Sequence, residues 1–131
     1  TEGPGKWYGV CAHEGLLYFC PCDHSAIMVL EPSSRQVSFI EAGKEGVGKW
    51  SGVCAHEGLL YFCPCDHSAI MVLEPISRQV SFIETGSGRK GVGKWSGVCA
   101  HEGLLYFCPC DHSAIMVLEP TSQQVSFIET G

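Results

Sequence analysis

The stretch Gly5 to Gly43, GKWYGVCAHEGLLYFCPCDHSAIMVLEPSSRQVSFIEAG, is written again from Gly48 to Gly86 and from Gly93 to Gly131. The first two copies differ only at Tyr8/Ser51, Ser33/Ile76 and Ala42/Thr85, and the last two only at Ile76/Thr121 and Arg78/Gln123. A unit reused in tandem must bury its apolar surface against its own copies. Each copy divides at turn signals into four apolar runs: Trp7 to Ala12, Leu16 to Pro21, Ala26 to Glu31 and Gln36 to Glu41. The breaks are His13-Glu14-Gly15, Asp23-His24-Ser25 and Pro32-Ser33-Ser34-Arg35. The runs are short and rich in Val, Ile, Leu, Tyr and Phe, which predicts strands rather than helices. Four strands per copy make an antiparallel meander.

Ala26-Ile27-Met28-Val29-Leu30 is apolar throughout, and Leu16-Leu17-Tyr18-Phe19-Cys20 nearly so. A sheet with one wet face would alternate polar and apolar residues, so these sheets are expected to be covered on both faces. That is the situation of a propeller blade between two others.

Two segments carry a family resemblance. Gly15-Leu16-Leu17-Tyr18-Phe19, followed by Ile27-Met28-Val29-Leu30-Glu31-Pro32-Ser33-Ser34-Arg35-Gln36-Val37-Ser38-Phe39-Ile40, resembles the repeat of β-propellers of the NHL and YVTN type. The likeness implies a fold more than an activity. The sequence departs from that pattern by carrying Glu31, Glu74 or Glu119 where Asp usually precedes Pro, and by lacking Asn altogether. The expected fold is all-β: a β-propeller with three four-stranded antiparallel blades, at residues 1–46, 47–91 and 92–131. Propellers close with about four to eight blades. Three blades left open would expose an apolar face at each end. The expected assembly is therefore a six-bladed ring closed by two chains head to tail. The alternative is a β-trefoil monomer, which also uses three four-stranded repeats but leaves more strand faces in water. A fragment of a longer chain, or a designed repeat without an evolved ligand, stays open.

The 131 residues are 45% hydrophobic and 17% charged, an ordinary globular composition. The net charge of −6, without basic runs, argues against nucleic-acid binding. No apolar run approaches the roughly 18 residues of a membrane-spanning helix, so no membrane partner is expected. Nine cysteines fall three to a copy, an odd number that cannot pair within each repeat. Reduced thiols and a cytoplasmic location are the corresponding expectation.

The densest reactive cluster is Cys20-Pro21-Cys22-Asp23-His24, with its copies Cys63, Cys65 and His67, and Cys108, Cys110 and His112. On an extended strand positions i, i+2 and i+4 share a face, so two thiols and an imidazole could converge on a soft cation such as zinc. The competing reading makes these cysteines small buried hydrophobes between blades. Cys11, Cys54 and Cys99, in mid-strand, are expected only to pack.

In a meander the entry to the first strand lies beside the turn after the second. One rim of the ring would therefore gather Lys6, Trp7, Asp23 and His24; Lys49, Trp50, Asp66 and His67; and Lys94, Trp95, Asp111 and His112. Indoles there could stack on a glycan or peptide, with Asp and His supplying polar contacts; the rival role for each Trp is to pack against the next blade. His13, His56 and His101 are expected to serve only their hairpin turns. Glu31 and its copies are expected to accept from backbone amides of the following turn. Without G-x-S-x-G, H-E-x-x-H or a phosphate loop, and with little room for an asymmetric constellation, the sequence leans away from an enzyme. Its leading function is a multivalent binding module, with metal binding as the alternative.

Overall fold

The computed structural model describes residues 7–21, 26–41, 50–64, 69–85, 95–109 and 114–130. They form twelve strands and, among the described residues, no helix. The first sheet comprises β1 (Trp7–His13), β2 (Leu16–Pro21), β3 (Ala26–Glu31) and β4 (Gln36–Glu41). The second holds β5 (Trp50–His56), β6 (Leu59–Pro64), β7 (Ala69–Glu74) and β8 (Gln79–Glu84). The third holds β9 (Trp95–His101), β10 (Leu104–Pro109), β11 (Ala114–Glu119) and β12 (Gln124–Glu129). Each sheet is an antiparallel meander in chain order, and no strand crosses from one sheet to another.

Local chemistry explains the turns. Glu14 and Gly15 both have positive φ, 49° and 83°, as a two-residue hairpin turn of the favoured twist demands. Gly15 adopts this geometry without cost, whereas Glu14 does not. The β3–β4 turn closes with the Arg35 amide donating to the Glu31 carbonyl oxygen at 2.7 Å, which places Arg35 at φ 63°. The Glu31 carboxylate accepts from the Ser34 hydroxyl at 2.8 Å, and that hydroxyl accepts from the Gln36 amide at 3.3 Å. The expected bond from the backbone to the carboxylate is thus relayed through a serine. The same bonds recur at Glu74 and Glu119.

Register explains why the sequence lacks polar alternation. Phe19 pairs with Met28 and Val10, Leu17 with Leu30, and Met28 with Phe39, so these residues share one face with Val37. It is called here the Phe face. Cys11, Tyr18, Cys20, Ile27, Val29 and Ile40 occupy the other, the Tyr face. Alternation is present, but both of its phases are apolar.

The sheets stack face to face. The Tyr face of the first sheet, through Tyr18, Cys20, Ile27, Val29 and Ile40, packs on Leu60, Phe62, Met71 and Leu73 of the second sheet's Phe face. The next junction repeats this with Tyr61, Cys63, Ile70, Val72 and Ile83 against Leu105, Phe107, Met116 and Leu118. The middle sheet is covered on both sides, and β7 is buried from Ala69 through Leu73. The inner strands β1, β5 and β9 lie side by side. A Cβ built on Gly9 would stand 3.2 Å from the Gly52 Cα, and one on Gly52 equally close to the Gly97 Cα. The sheets therefore converge where the side chain is missing, wedge fashion, as propeller blades do. A trefoil is ruled out, because its strands would pair across repeats into one barrel.

Candidate functional site

Most of the residues that the sequence singled out lie outside the described residues: Lys6, Cys22, Asp23, His24, Lys49, Cys65, Asp66, His67, Lys94, Cys110, Asp111 and His112. For Trp7, Trp50 and Trp95 the backbone alone is described; it pairs with Pro21, Pro64 and Pro109. The entry of each first strand thus runs beside the exit of each second strand. Among the described residues no group of three or more His, Cys, Asp or Glu side chains is placed to hold a metal ion. Cys20 is fully buried in the first junction and donates to the Gly52 carbonyl oxygen at 3.7 Å. Cys63 is equally buried in the second junction, and Cys108 is exposed on the third sheet.

The opposite rim carries a feature that the sequence did not advertise. Between the β1–β2 hairpin of the first blade and the β3–β4 turn of the second lies a groove of about 260 Å³ lined by His13, Glu14, Leu16, Tyr18, Gly58, Pro75 and Ile76. His13 does more than end a strand, since its ring stands 6.5 Å from the Tyr18 ring at a 58° tilt. The same tilted pair recurs as His56–Tyr61 and His101–Tyr106. Ile76 is 96% exposed and occupies a position that varies between the copies, as Ser33, Ile76 and Thr121. A signal was available: three of the few substitutions cluster in the turn that builds this wall.

Electrostatics at the junction follow the other variable position. Arg78 reaches back to the Ser38 hydroxyl of the preceding blade at 3.3 Å, and Gln123 stands at the matching place one blade on. Burial pushes the Tyr18 hydroxyl above its ordinary value of 10.0, against the opposing pull of the Arg78 guanidinium. The Tyr61 hydroxyl is likewise raised by burial, and then by Glu57. Burial also raises the Cys11 and Cys54 thiols. Cys54 feels both Cys11 and Cys99, so the mid-strand thiols form a row across the three inner strands.

No family model matches the chain, and no curated protein does. Solved structures do. Virginiamycin B lyase from Staphylococcus aureus superposes with a TM-score of 0.81 at 16% identity, over 98% of this chain and 43% of the lyase. A glutaminyl cyclase from Myxococcus xanthus gives 0.60 at 16% identity, over 86% of this chain and 47% of the cyclase. A nidogen/laminin complex gives 0.67 at 11% identity, over 92% of this chain and 46% of the matched chain. The chain thus spans less than half the length of these neighbours. Identity this low speaks for the fold alone, and the fold is that of a β-propeller protein built from near-identical blades.

Proposed function

We propose that the protein is a multivalent binding module whose blades each offer the same surface to a protein, peptide or glycan. The observation that supports this reading is the residue-for-residue repetition of the blade junction, with Tyr18, Cys20 and Ile27 of one replaced by Tyr61, Cys63 and Ile70 of the next. Equal junctions repeat whatever lies beside them, and equal sites gain from avidity. An enzyme site on identical blades would have to draw its acid, base and nucleophile from the same few residue types.

The binding rim in this proposal is the one where β1 enters and β2 leaves. Its candidates are Lys6, Trp7, Asp23 and His24 with their counterparts in the other two blades. Indole stacking supplies the affinity and the polar groups the orientation. Changing Trp7, Trp50 and Trp95 to Ala together, with glycan and peptide arrays as probes, tests it. The expected result is loss of every array signal given by the parent chain, with the thermal transition retained. A parent chain that binds nothing, or a triple variant that unfolds, defeats the proposal.

A second reading is favoured by the groove at the His13–Tyr18 rim. Because the copies differ within the groove lining only at Ser33, Ile76 and Thr121, its ligands would be ranked by the polarity of that one side chain. Ile76→Ser would then change binding, and the tryptophan substitutions would not.

A further inference from the structure

We infer that the two end faces of the chain are docking surfaces for each other, so that a second copy closes the blades into one ring. The inference rests on the packing alone and holds whatever the ligand. Most positions buried at the two internal junctions are more open at the ends, Val117 excepted. On the third blade's Tyr face Ile128 is 49% exposed, although its counterparts Ile40 and Ile83 are each 6% exposed. Cys99 and Cys108 are exposed there, and Tyr106 and Ile115 half-buried. Tyr106, Phe107, Cys108, Pro109 and Ile115 line an apolar depression of about 290 Å³ on this face. On the first blade's Phe face Val10 is 53% and Val37 49% exposed, and Leu17, Met28 and Leu30 are only half-buried. Their counterparts Leu60, Met71 and Leu73 are fully buried.

The occupant is identified by the repeat itself. Every Tyr face inside the chain is covered by a Phe face of the same sequence, and the remaining Phe face of that sequence is on the first blade. Leu17, Phe19 and Met28 of a second copy match, side chain for side chain, the residues that cover Tyr18, Cys20 and Ile27. Gly97 also matches the internal pattern. Among the described residues a Cβ added to it meets only the Cys108 Cβ at 3.8 Å, whereas Gly9 and Gly52 each face the glycine of the following blade at 3.2 Å. Gly97 is thus a glycine whose close neighbour would be Gly9 of the second copy. Such a head-to-tail contact closes a ring when the rotation per chain fits. Identical three-bladed chains fill only rings whose blade number is a multiple of three, and of these six alone falls within the usual range of about four to eight. Closure also completes the rim groove at the chain end, where His101 and Tyr106 await Gly15, Pro32 and Ser33 of the other copy.

Native mass spectrometry and sedimentation of the full chain at micromolar concentration test this. The expected mass is twice the 14.2 kDa of one chain. A monomer, or a ladder of open assemblies, overturns the inference. Direction is tested by two variants at positions already partly in water: Val10→Glu with Val37→Glu on the Phe face, and Ile115→Glu with Ile128→Glu on the Tyr face. Each alone should be monomeric, and their mixture should recover a one-to-one complex through the remaining intact pair of faces. Retention of a dimer by either variant alone, or no complex on mixing, contradicts head-to-tail docking. Should the glutamates unfold an end blade, Gly97→Ala is the second probe. It should weaken dimerisation by at least about tenfold while leaving the circular dichroism of the dilute chain unchanged. An unweakened dimer would overturn the proposed contact.

Discussion

A methyl group on Gly52 would approach the Gly97 Cα to 3.2 Å and the Ser96 carbonyl oxygen to 3.5 Å, both backbone atoms that belong to the next blade. Neither can swing aside like a side chain, so the blades themselves must part. Gly52→Ala is expected to cost about 1–3 kcal/mol, as overpacking does, seen as a lower denaturant midpoint. Gly97→Ala, measured where the chain is monomeric, should stay within about 0.5 kcal/mol of the parent. Equal losses for both would mean that crowding at the inner strands does not set blade spacing. At this scale the sequence was legible in some places and opaque in others. Gly15 announced its turn, because no other residue takes φ near +80° so freely. Gly9 and Gly52 did not announce their role, because close approach between strands far apart in the chain leaves no local mark. Cys20 carried two readings in the sequence; in the structure it is buried in the first junction and donates to the Gly52 carbonyl oxygen, while its partners in the cluster lie outside the described residues.

The blade as an element was almost wholly readable. The four apolar runs match the strands, with β1 reaching one residue further, to His13. The turns bounded them because Glu-Gly and Glu-Pro-x-Ser each supply a local reason for the chain to reverse. The weak point of the blade is the left-handed residue of its outer turn, held by Arg35, Arg78 or Gln123 at φ 60–63°. A side chain pays about 1–2 kcal/mol in that region. Gln123→Gly should therefore raise stability by about 0.5 kcal/mol after the entropy of glycine is counted. Ser77→Ala removes both the donor to Glu74 and the acceptor for the Gln79 amide, and should cost about 0.5–1.5 kcal/mol. Thermal denaturation of the two variants reads both signs, and a stabilising Ser77→Ala would refute this account of the turn.

Across the whole molecule, the raised groups make stability depend on pH at the alkaline end. Tyr18 and Tyr61, and Cys11 and Cys54, hold their protons more tightly folded than unfolded, chiefly because burial disfavours the anion. Unfolding then releases protons. The contribution is complete below the ordinary thiol value of 9.0 and is lost as pH rises through the raised values of the thiols and then of the tyrosines. The urea midpoint should be level up to about pH 9 and fall beyond it. A midpoint that rises between pH 9 and 11 would show the sign to be wrong. Arg78 opposes the shift at Tyr18, and so Arg78→Gln should leave the onset of this tyrosine's decline at its ordinary value of 10.0 and carry the decline on to higher pH.

Strand limits, turns and the threefold repeat follow from residue type and spacing alone, because hydrogen-bond geometry and turn chemistry act over a few residues. Two apolar faces per sheet also follow from composition, and with them the need for neighbours. Which face meets which was decided only in three dimensions, where the Tyr face seats on the Phe face and the inner glycines touch. So was the difference between identical residues, such as Cys20 and Cys108 or Ile40 and Ile128, buried in one blade and open in another. Burial is a property of what lies opposite, and in a repeat the local sequence is the same whether or not anything does.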